Sequence, residues 1–444
     1  MAESKHRTDI AVPLQRRNFI LNVINGAFSA VAMRTSDAGT VLPLLVLKLA
    51  GAEWAVGLVQ AVQDLGRVST QLLMSRVMDA VPHKMPLYMS GSVGRVLAMG
   101  LCASALFLGV DRDPRLVLLA FLSGLFLWML LNGVAELAWM DVTARSVPSS
   151  RRGSLMIGRK FLGMILALLI ATPLVNHFLG PGSPLQFPAN YGALYLTSIL
   201  FFAIAWGTFS LTREPKAHAA RRTLTLRHHF ARGIRVFQRD PLYQRLQWLR
   251  LTMGITQAFP AFFIAFGKVA LDLADQWAAL FLSVKLVSEM LSSVVFGRIS
   301  DRLGNRAVIV TTTVVNFATF ALAATCAWLD YAAGPGTPAS RAEIFLLGGV
   351  FCGFGLITSG RETGEFNYLL DIAPAAKRPS YIGFGNAFLL PLSLLPLAVG
   401  WLAPRTGYLP LFGFATVVSL AALVVALRMA EPREVFLAEP EGAD

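Results

Sequence analysis

The 444-residue sequence has little charge and little cysteine. Only 15% of its residues are Asp, Glu, Lys or Arg and 55% are hydrophobic, whereas average proteins contain about 25% charged residues. This composition excludes an ordinary soluble protein. The three cysteines, Cys102, Cys326 and Cys352, lie in apolar stretches and form no CxxC pair, so we expect neither a disulfide framework nor a cysteine metal site.

Motifs of enzymes and of nucleotide-driven pumps are missing as well. The sequence has no G-x-x-x-x-G-K-[ST] loop, no H-E-x-x-H pair and no G-x-S-x-G turn, and its six histidines are scattered. ATP-driven transport by this chain therefore has no support, and we assign no catalytic residue, cofactor or metal ligand. An intramembrane enzyme is the least supported function, because no constellation of nucleophile and base is present.

Long apolar runs are what the sequence has instead. They are separated by short polar breaks, and a helix of about 20 residues crosses the hydrocarbon core of a bilayer. We predict an all-α membrane protein with about twelve transmembrane helices in two six-helix, pseudo-symmetric halves. The predicted spans are 18–48, 53–76, 86–109, 115–145, 155–179, 191–211, 246–270, 276–299, 307–329, 343–371, 380–403 and 408–429.

Basic residues are concentrated on one side of these spans. With both termini in the cytoplasm, about 25 Lys and Arg fall on cytoplasmic segments and about six on outer ones. The positive-inside rule therefore predicts cytoplasmic termini and a place in the cytoplasmic (inner) membrane. It also accounts for the net charge of +13 without nucleic acid. The polar N-terminus lacks a small-residue cleavage site, which favours a cytosolic tail over a signal peptide.

The chain divides into two bundles joined by a basic linker. The predicted segments are a cytoplasmic tail at 1–17, six helices at 18–211, a cytoplasmic linker at 212–245, six helices at 246–429 and a cytoplasmic tail at 430–444. In the linker, Leu226, Phe230, Ile234 and Phe237 recur at helical spacing among basic residues. This pattern suits an amphipathic helix on the anionic inner leaflet, and a solvated basic linker explains it equally well.

The two halves are repeats of each other. A shift of 222 residues aligns SRVMDAVPHK (75–84) with GRISDRLGNR (297–306), and a shift of 226 aligns 136–154 with 362–380. The matched segments follow the second and fourth spans of each half. Two parallel repeats of six helices are the architecture of many secondary transporters.

The second copy of the first repeated loop resembles a family signature. Its residues Gly297, Asp301, Arg302, Gly304 and Arg306 resemble the G-x-x-x-D-R-x-G-R-[KR] loop of the major facilitator superfamily, with Asn305 at one basic position. The first copy is degenerate, since Ser75, Ala80 and Pro82 replace its two glycines and its arginine. The predicted spans, the repeat and the long central loop extend this resemblance over the whole chain.

The resemblance implies that these loops close the cytoplasmic side in the outward-facing state. Repeat symmetry then places Asp301 at the start of the fifth span, near Gly153 and Ser154, and Asp79 at the start of the eleventh, near Ser380. The expected gating residues are Asp79, Gly297, Asp301, Arg302, Gly304 and Arg306. If the loop arginines served only to fix orientation, Asp301 would remain unexplained.

Ionisable residues inside the spans carry the functional information, because each is costly in hydrocarbon. Three predicted helices carry opposite charges three or four residues apart, at which spacing the two side chains share a face and can pair. These pairs are Arg34/Asp37, Asp64/Arg67 and Lys285/Glu289. The shift of 222 also maps position 67 onto 289, so the last two pairs are candidates for a salt bridge between the halves.

In the major facilitator superfamily, the first, fourth, seventh and tenth helices line the central pathway. The resemblance therefore implies a substrate or coupling-ion site drawn from Arg34, Asp37, Asn132, Glu136, Gln257, Arg361, Glu362 and Glu365. Its carboxylates would exchange protons, and its arginines would hold a substrate anion or modulate the acids. The alternative is a permanent salt-bridge lattice. Arg34 and Asp37 are preferred, because uncharged Thr256 and Phe259 occupy the matching positions of the second half.

We therefore predict a proton-coupled secondary transporter of a small polar, charged or amphiphilic solute. It would act as a monomer in the lipid bilayer by alternating access, and prolines 43, 173, 260, 391 and 396 are hinge candidates. The fifth span lacks the Gly-Pro-x-x-Gly-Gly ending of many drug–proton antiporters, which argues against drug export. The alternative function is a non-transporting receptor or assembly factor of the same fold, which the degenerate first loop favours.

Overall fold

A computed structural model describes residues 12–109, 111–215, 234–334, 336–373 and 378–432. These residues are mostly helical and include no strand. Nine of the helices formed by the described residues are long and apolar enough to cross a membrane. The prediction of a multi-pass, all-α membrane protein is therefore confirmed. The first, second and eleventh predicted spans are not among these nine. The helices Val12–Thr35 and Trp54–Ala80 are long enough but not apolar enough, whereas the eleventh span is interrupted.

The described chain separates into two compact units, of which the first comprises Met1–Ala50 and Val62–Thr223. Its helices are α1 (Val12–Thr35), α2 (Val41–Ala50), α3 (Trp54–Ala80), α4 (Met85–Leu108), α5 (Pro114–Ser146), α6 (Ser149–Leu166), α7 (Thr172–Leu179) and α8 (Ala189–Ser210). The first residues of α3 belong to the second unit, which comprises Gly51–Ala61 and Leu224–Asp444.

The second unit contains the other eight named helices among the described residues. They are α9 (Pro241–Thr256), α10 (Pro260–Val269), α11 (Trp277–Leu303), α12 (Asn305–Ala333), α13 (Arg341–Ile372), α14 (Arg378–Phe388), α15 (Leu395–Thr406) and α16 (Tyr408–Leu427). A 3₁₀ turn, Leu390–Leu394, joins α14 to α15. Of the basic linker, residues 216–233 lie outside the described part, so the predicted amphipathic helix stays a prediction.

Four predicted spans are not continuous α-helices. The span expected at 18–48 is broken between Thr35 and Val41, and the one expected at 246–270 begins at Pro241 and is broken before Pro260. Proline has no amide hydrogen to continue a helix and restricts the residue before it. The same cause applies to the eleventh span, where Pro391 and Pro396 bracket the 3₁₀ turn, and to the fifth, where a π-helix precedes Pro173.

Each unit has its own aromatic core. In the first unit, Phe202 stacks on Trp206 with ring centroids 4.6 Å apart and meets Trp128 edge-on. In the second unit, Phe263 lies at the centre of a cluster with Phe320, Phe351 and Phe412. Because these rings pack inside a unit and not against lipid, they fix the helix positions around the polar residues described next.

Candidate functional site

Asp37 lies in the break between α1 and α2, and its side chain contacts both the end of α1 and the turn that precedes α2. Its Oδ1 accepts hydrogen bonds from the Gly39 amide (2.8 Å) and the Thr40 hydroxyl (3.2 Å), so it caps the start of α2. Its Oδ2 lies 3.0 Å from Arg34 Nη1, which confirms the predicted self-pairing. The side chain is 3% exposed. A short glycine-containing turn with an acidic cap therefore explains why the predicted span is broken here.

The end of α1 is anchored within the first unit. The Thr35 and Ser198 hydroxyls lie 2.6 Å apart, which ties the last turn of α1 to α8. Both side chains are fully buried. Polar groups of the break are thus held inside the protein, as required of irregular backbone at membrane depth.

The break between α9 and α10 lies at the matching place in the second unit, and its surroundings are uncharged. Gln257 follows the last residue of α9 and is half-buried. Its backbone amide donates to the Met253 and Gly254 carbonyls (3.2 Å each). The Thr256 hydroxyl donates to the Met253 carbonyl (2.8 Å) and lies 3.4 Å from Asn316 Oδ1. The charge of the first break therefore has no counterpart here, as the sequence predicted.

Asn132, a predicted site residue on α5, binds an arginine that sequence reasoning missed. Arg95 on α4 donates from Nη1 to Asn132 Oδ1 (3.1 Å) and from Nη2 to the Ser92 hydroxyl (2.7 Å). Its guanidinium lies 3.8 Å from the centre of the Trp206 ring, and the residue is 4% exposed. Glu136, one turn after Asn132, is half-buried and keeps its place as a candidate.

A second missed arginine, Arg159 on α6, lies across α1. It donates to the Asn22 carbonyl (2.6 Å) and to Asn25 Oδ1 (2.8 Å), and its guanidinium lies 4.5 Å from the centre of the Trp139 ring. A Cβ on Gly26 would lie 2.6 Å from Arg159 Cγ, so only glycine leaves room for this side chain. Arg159 stands next to Lys160 at the cytoplasmic end of the predicted fifth span, where a basic residue is expected to fix orientation, so the sequence carried no signal for this contact.

In the second unit, two predicted residues meet on α13. Arg361 Nε donates to Glu365 Oε1 at 2.7 Å, whereas Glu362 lies on another side of the helix and is exposed. A further missed arginine, Arg250 on α9, places Nε 3.8 Å from Glu365 Oε2 and donates from Nη2 to Asn386 Oδ1 (3.1 Å). The cluster borders a small recess, which is lined by Leu249, Met253, Thr312, Gly360, Arg361 and Glu365 among others.

The other intramembrane pairs have distinct environments. Asp64 and Arg67 lie 3.7 Å apart within α3, which confirms their self-pairing. On α11, Lys285 and Glu289 are 5% and 3% exposed, and the Lys285 ammonium lies 4.7 Å from the centre of the Phe354 ring. Pairing of these residues between the halves stays a prediction.

The family-signature loop has the predicted turn. Gly304 adopts a φ of +87°, which strongly favours glycine, and both Asp301 and Arg302 are exposed. The Arg306 amide donates to Glu431 Oε2 (3.0 Å), an acid just after α16 that sequence reasoning missed. The expected contact of Asp301 with the fifth span stays a prediction, as does the role of Gly297.

The first copy of this loop is held by an equivalent acid, Glu214, just after α8. Its carboxylate accepts from the amides of Lys84 (2.9 and 3.0 Å) and Met85 (2.9 Å) at the start of α4. Both acids precede a proline, in Glu214-Pro215 and Glu431-Pro432, and this repeated dipeptide was the signal that could have identified them. The side chain of Asp79 lies outside the described part of the structure.

Comparisons with known proteins identify the fold. No family model matches the chain, and no curated protein matches it in sequence. Among solved structures, a bacterial homologue of the iron transporter ferroportin in an inward-facing state is 14% identical, with a TM-score of 0.64, over 95% of this chain and 99% of that one. A bacterial metal transporter (16%, TM-score 0.60) covers 95% of this chain and 99% of its own.

The nucleoside transporter NupG is also similar, at 14% identity and a TM-score of 0.60, over 93% of this chain and 98% of that one. Similarity at this level establishes the fold alone. The chain therefore has the fold of major facilitator transporters, as the signature loop and the internal repeat predicted.

Proposed function

We propose that this protein is a proton-coupled secondary transporter that moves a small polar, charged or amphiphilic solute by alternating access. One observation carries the proposal: two helices are broken at repeat-equivalent places, after Thr35 in the first unit and after Thr256 in the second. In secondary transporters, interrupted helices at corresponding places in the two halves form the substrate and ion sites. The major facilitator fold supports the same function.

The charged residues near the first break and on α13 support a polar or charged solute. Arg34 and Asp37 are joined at the first break, and Arg361 and Glu365 are joined in the second unit. A solute that is only apolar would need neither sign of charge in a bilayer, where each charge is costly. We propose the substrate and coupling-ion residues named from the sequence, namely Arg34, Asp37, Asn132, Glu136, Gln257, Arg361, Glu362 and Glu365.

The remaining parts of the proposal concern topology and coupling. We place the protein as a monomer in the cytoplasmic membrane with both termini inside, on the strength of its basic segments. The carboxylates of the proposed site would load and release the coupling proton. The signature loop would close the cytoplasmic side, and the capping of Arg306 by Glu431 supports a fixed loop conformation.

Flux into proteoliposomes tests this function. Purified protein is reconstituted and uptake of radiolabelled carboxylates, nucleosides and divalent metal ions is measured with and without a pH gradient. We expect one class to accumulate only with the gradient. Asp37→Asn should abolish that accumulation, whereas Asp111→Asn, in an outer loop, is the matched control. Accumulation that ignores the gradient would remove proton coupling, and full activity of Asp37→Asn would remove the site assignment.

Accessibility separates transport from the alternative of a non-transporting receptor. Single cysteines replace Asn132 and Thr358 in a chain whose native cysteines are changed to serine, and membrane-impermeant thiol reagents are applied from each side. A transporter should expose these positions to water in alternation, and substrate should shift the balance. Labelling that never occurs from either side would favour the receptor.

A further inference from the structure

The second unit buries three polar atoms, two on Gln247 and one on Arg250, that lack a hydrogen bond within the described residues. Gln247 on α9 is fully buried, and both its side-chain oxygen and its side-chain nitrogen lack a hydrogen bond within the described residues. One turn later, Arg250 Nη1 is buried and also lacks a partner there. Both groups face Gly385 of α14, where a Cβ would lie 2.6 Å from Arg250 Nη1 and 2.9 Å from Gln247 Nε2.

Such groups are rare in folded proteins, because a buried donor loses its hydrogen bonds to water and forms no hydrogen bond within the protein to replace them. A buried amide beside a buried guanidinium nitrogen is more costly still, since part of a formal charge is involved. Other buried polar atoms of the described residues also lack a hydrogen bond, but here Gln247 Nε2 and Arg250 Nη1 both approach Gly385.

The charges of this cluster do not balance. Two guanidinium groups, Arg250 and Arg361, share one carboxylate, Glu365, so the three side chains carry a formal charge of +2 − 1 = +1. Arg361 holds that carboxylate at 2.7 Å, whereas Arg250 Nε is 3.8 Å away, beyond hydrogen-bond distance. The charge of Arg250 is therefore the less well compensated.

A recess borders Arg361 and Glu365 of this cluster. Its other lining residues are Leu249, Met253, Ile309, Thr312, Thr313 and Gly360. Arginine presents a planar fork of donors that matches a carboxylate. The resident Glu365 shows that this cluster already accommodates such a group.

We propose that Arg250, Gln247 and Arg361 form an anion subsite that binds the carboxylate of a monoanionic substrate, while Glu365 stays in the cluster as a resident anion that competes with the substrate for Arg250. A monoanion would neutralise the cluster, whereas a phosphate dianion would leave it negative. This subsite rests on the proposed transport function and narrows the solute to a small carboxylate. It also adds Arg250 and Gln247 to the residues expected from the sequence.

Thermal unfolding of the purified full chain in detergent tests the subsite without requiring transport. Sodium acetate, sodium lactate and sodium phosphate are titrated at constant ionic strength against sodium chloride, and the apparent Kd is taken from the rise in Tm. We expect the carboxylates to raise the Tm of the unsubstituted chain. Arg250→Gln should weaken their binding about tenfold or more, since it removes a charged hydrogen bond.

The decisive result is a pair of effects with opposite signs. Glu365→Gln removes the competing counter-anion and should tighten carboxylate binding about tenfold, whereas Arg250→Gln and Gln247→Leu weaken it. A purely structural cluster would be damaged by all three variants and would gain affinity in none. Arg245→Gln is the matched control on the same helix, because Arg245 is exposed and donates to the Arg428 carbonyl.

Two outcomes would overturn the subsite. Stabilisation by phosphate alone would refute the carboxylate assignment. The lack of any carboxylate effect on both the unsubstituted chain and Glu365→Gln would refute the subsite itself and leave the flux experiment unaffected. Carboxylate binding in a chain that transports no carboxylate would instead count against the proposed function.

Discussion

In both units an arginine packs against a glycine, but the helix that carries the arginine in one unit corresponds to the helix that carries the glycine in the other. In the first unit, Arg159 of α6 lies over Gly26 of α1; in the second, Arg250 of α9 lies over Gly385 of α14. Gly26 and Arg250 are 224 residues apart, and Arg159 and Gly385 are 226 apart. The second separation equals the repeat shift of 226 and the first differs by two residues from each of the two shifts, so the halves place an arginine–glycine contact at similar positions while exchanging the helix that carries the arginine.

The partners of the arginines differ more than their positions. In the first unit, asparagine side chains and tryptophan rings hold Arg95 and Arg159. In the second unit, Arg250 and Arg361 share the carboxylate of Glu365. Arg95 Nε and Arg250 Nη1 are both buried and lack a hydrogen bond within the described residues. The comparison indicates a fixed cation cluster in the first unit and an exchangeable one in the second.

The largest effect should come from removing Arg95. Arg95→Ala deletes a buried side chain stacked on Trp206 and leaves a cavity, which we expect to lower the free energy of unfolding by about 3–5 kcal/mol. Arg405→Ala is the matched control, because Arg405 stacks on Trp401 at a similar distance, 3.9 Å, but both residues are exposed. It should cost less than about 1 kcal/mol. Unfolding in mixed micelles measures both, and equal losses would contradict the fixed role of the first cluster.

Replacing each of the two glycines by alanine should lower the stability of the protein by different amounts. Gly26→Ala places its Cβ against Cβ and Cγ of Arg159 as well as Nε, so the whole side chain must move, at about 1–3 kcal/mol. Gly385→Ala meets only the ends of Arg250 and Gln247, which can turn away, and should cost less in the same assay. In Gly385→Ala we also expect weaker carboxylate binding. A larger loss of stability for Gly385→Ala than for Gly26→Ala would reverse the comparison.

The two capping acids should differ by the number of amides they bind. Glu214 accepts from the amides of Lys84 and Met85, whereas Glu431 accepts from that of Arg306. We expect Glu214→Ala to cost about 2 kcal/mol and Glu431→Ala about 1 kcal/mol, since each is a charged cap at a helix start. Melting temperatures of the purified variants rank them. Equal shifts would show that the single cap is as strong as the double one.

The smallest effect concerns two acids that the shift of 222 relates, Glu53 just before α3 and Asp275 just before α11. Asp275 lies 3.4 Å from Lys268 Nζ, whereas Glu53 is 8% exposed and its Oε2 lacks a hydrogen bond within the described residues. Burial raises the pKa of Glu53 from 4.5, and the Tyr408 hydroxyl partly opposes this shift. The folded state therefore holds this proton more tightly than the unfolded state does.

Stability supplied by protonated Glu53 is present below pH 4.5 and is lost as the pH rises through the raised pKa. Glu53→Gln should remove this part of the pH dependence of Tm, and Asp275→Asn is the matched control. An unchanged pH profile in Glu53→Gln would show that the acid is already charged in the folded protein.

The fold was predictable because its signals extend over many residues. Three signals identified the fold: the length of the apolar spans, the charge bias between loops, and the repeated loops at 75–84 and 297–306. Each signal involves many residues, so a wrong interpretation of one residue does not change the predicted fold. The helix breaks were less predictable. Prolines marked three of the four irregular spans, but the break at Asp37 depends on one side chain capping α2, which the span pattern does not show.

The candidate site was predicted only where partners are close in sequence. Spacing identified the pair of Arg34 and Asp37, which lie one turn apart. Arg361 and Glu365 also lie one turn apart and pair, but the sequence analysis named them only as separate site candidates. Arg95, Arg159 and Arg250 find their partners on other helices, and no spacing rule reaches across a bundle. Their binding depends on amide and ring contacts that become visible only once the helices are packed.

The cations of the first unit have a consequence for energetics across the bilayer. Arg95 and Arg159 place two guanidinium groups inside the first unit, where asparagine side chains and tryptophan rings hold them. A charge that moves through a membrane potential exchanges about 2.3 kcal/mol for each 100 mV it traverses. The energy of any motion of α4 and α6 along the membrane normal would therefore depend on the membrane potential. Transport of a neutral solute that requires such a motion would then depend on this potential as well.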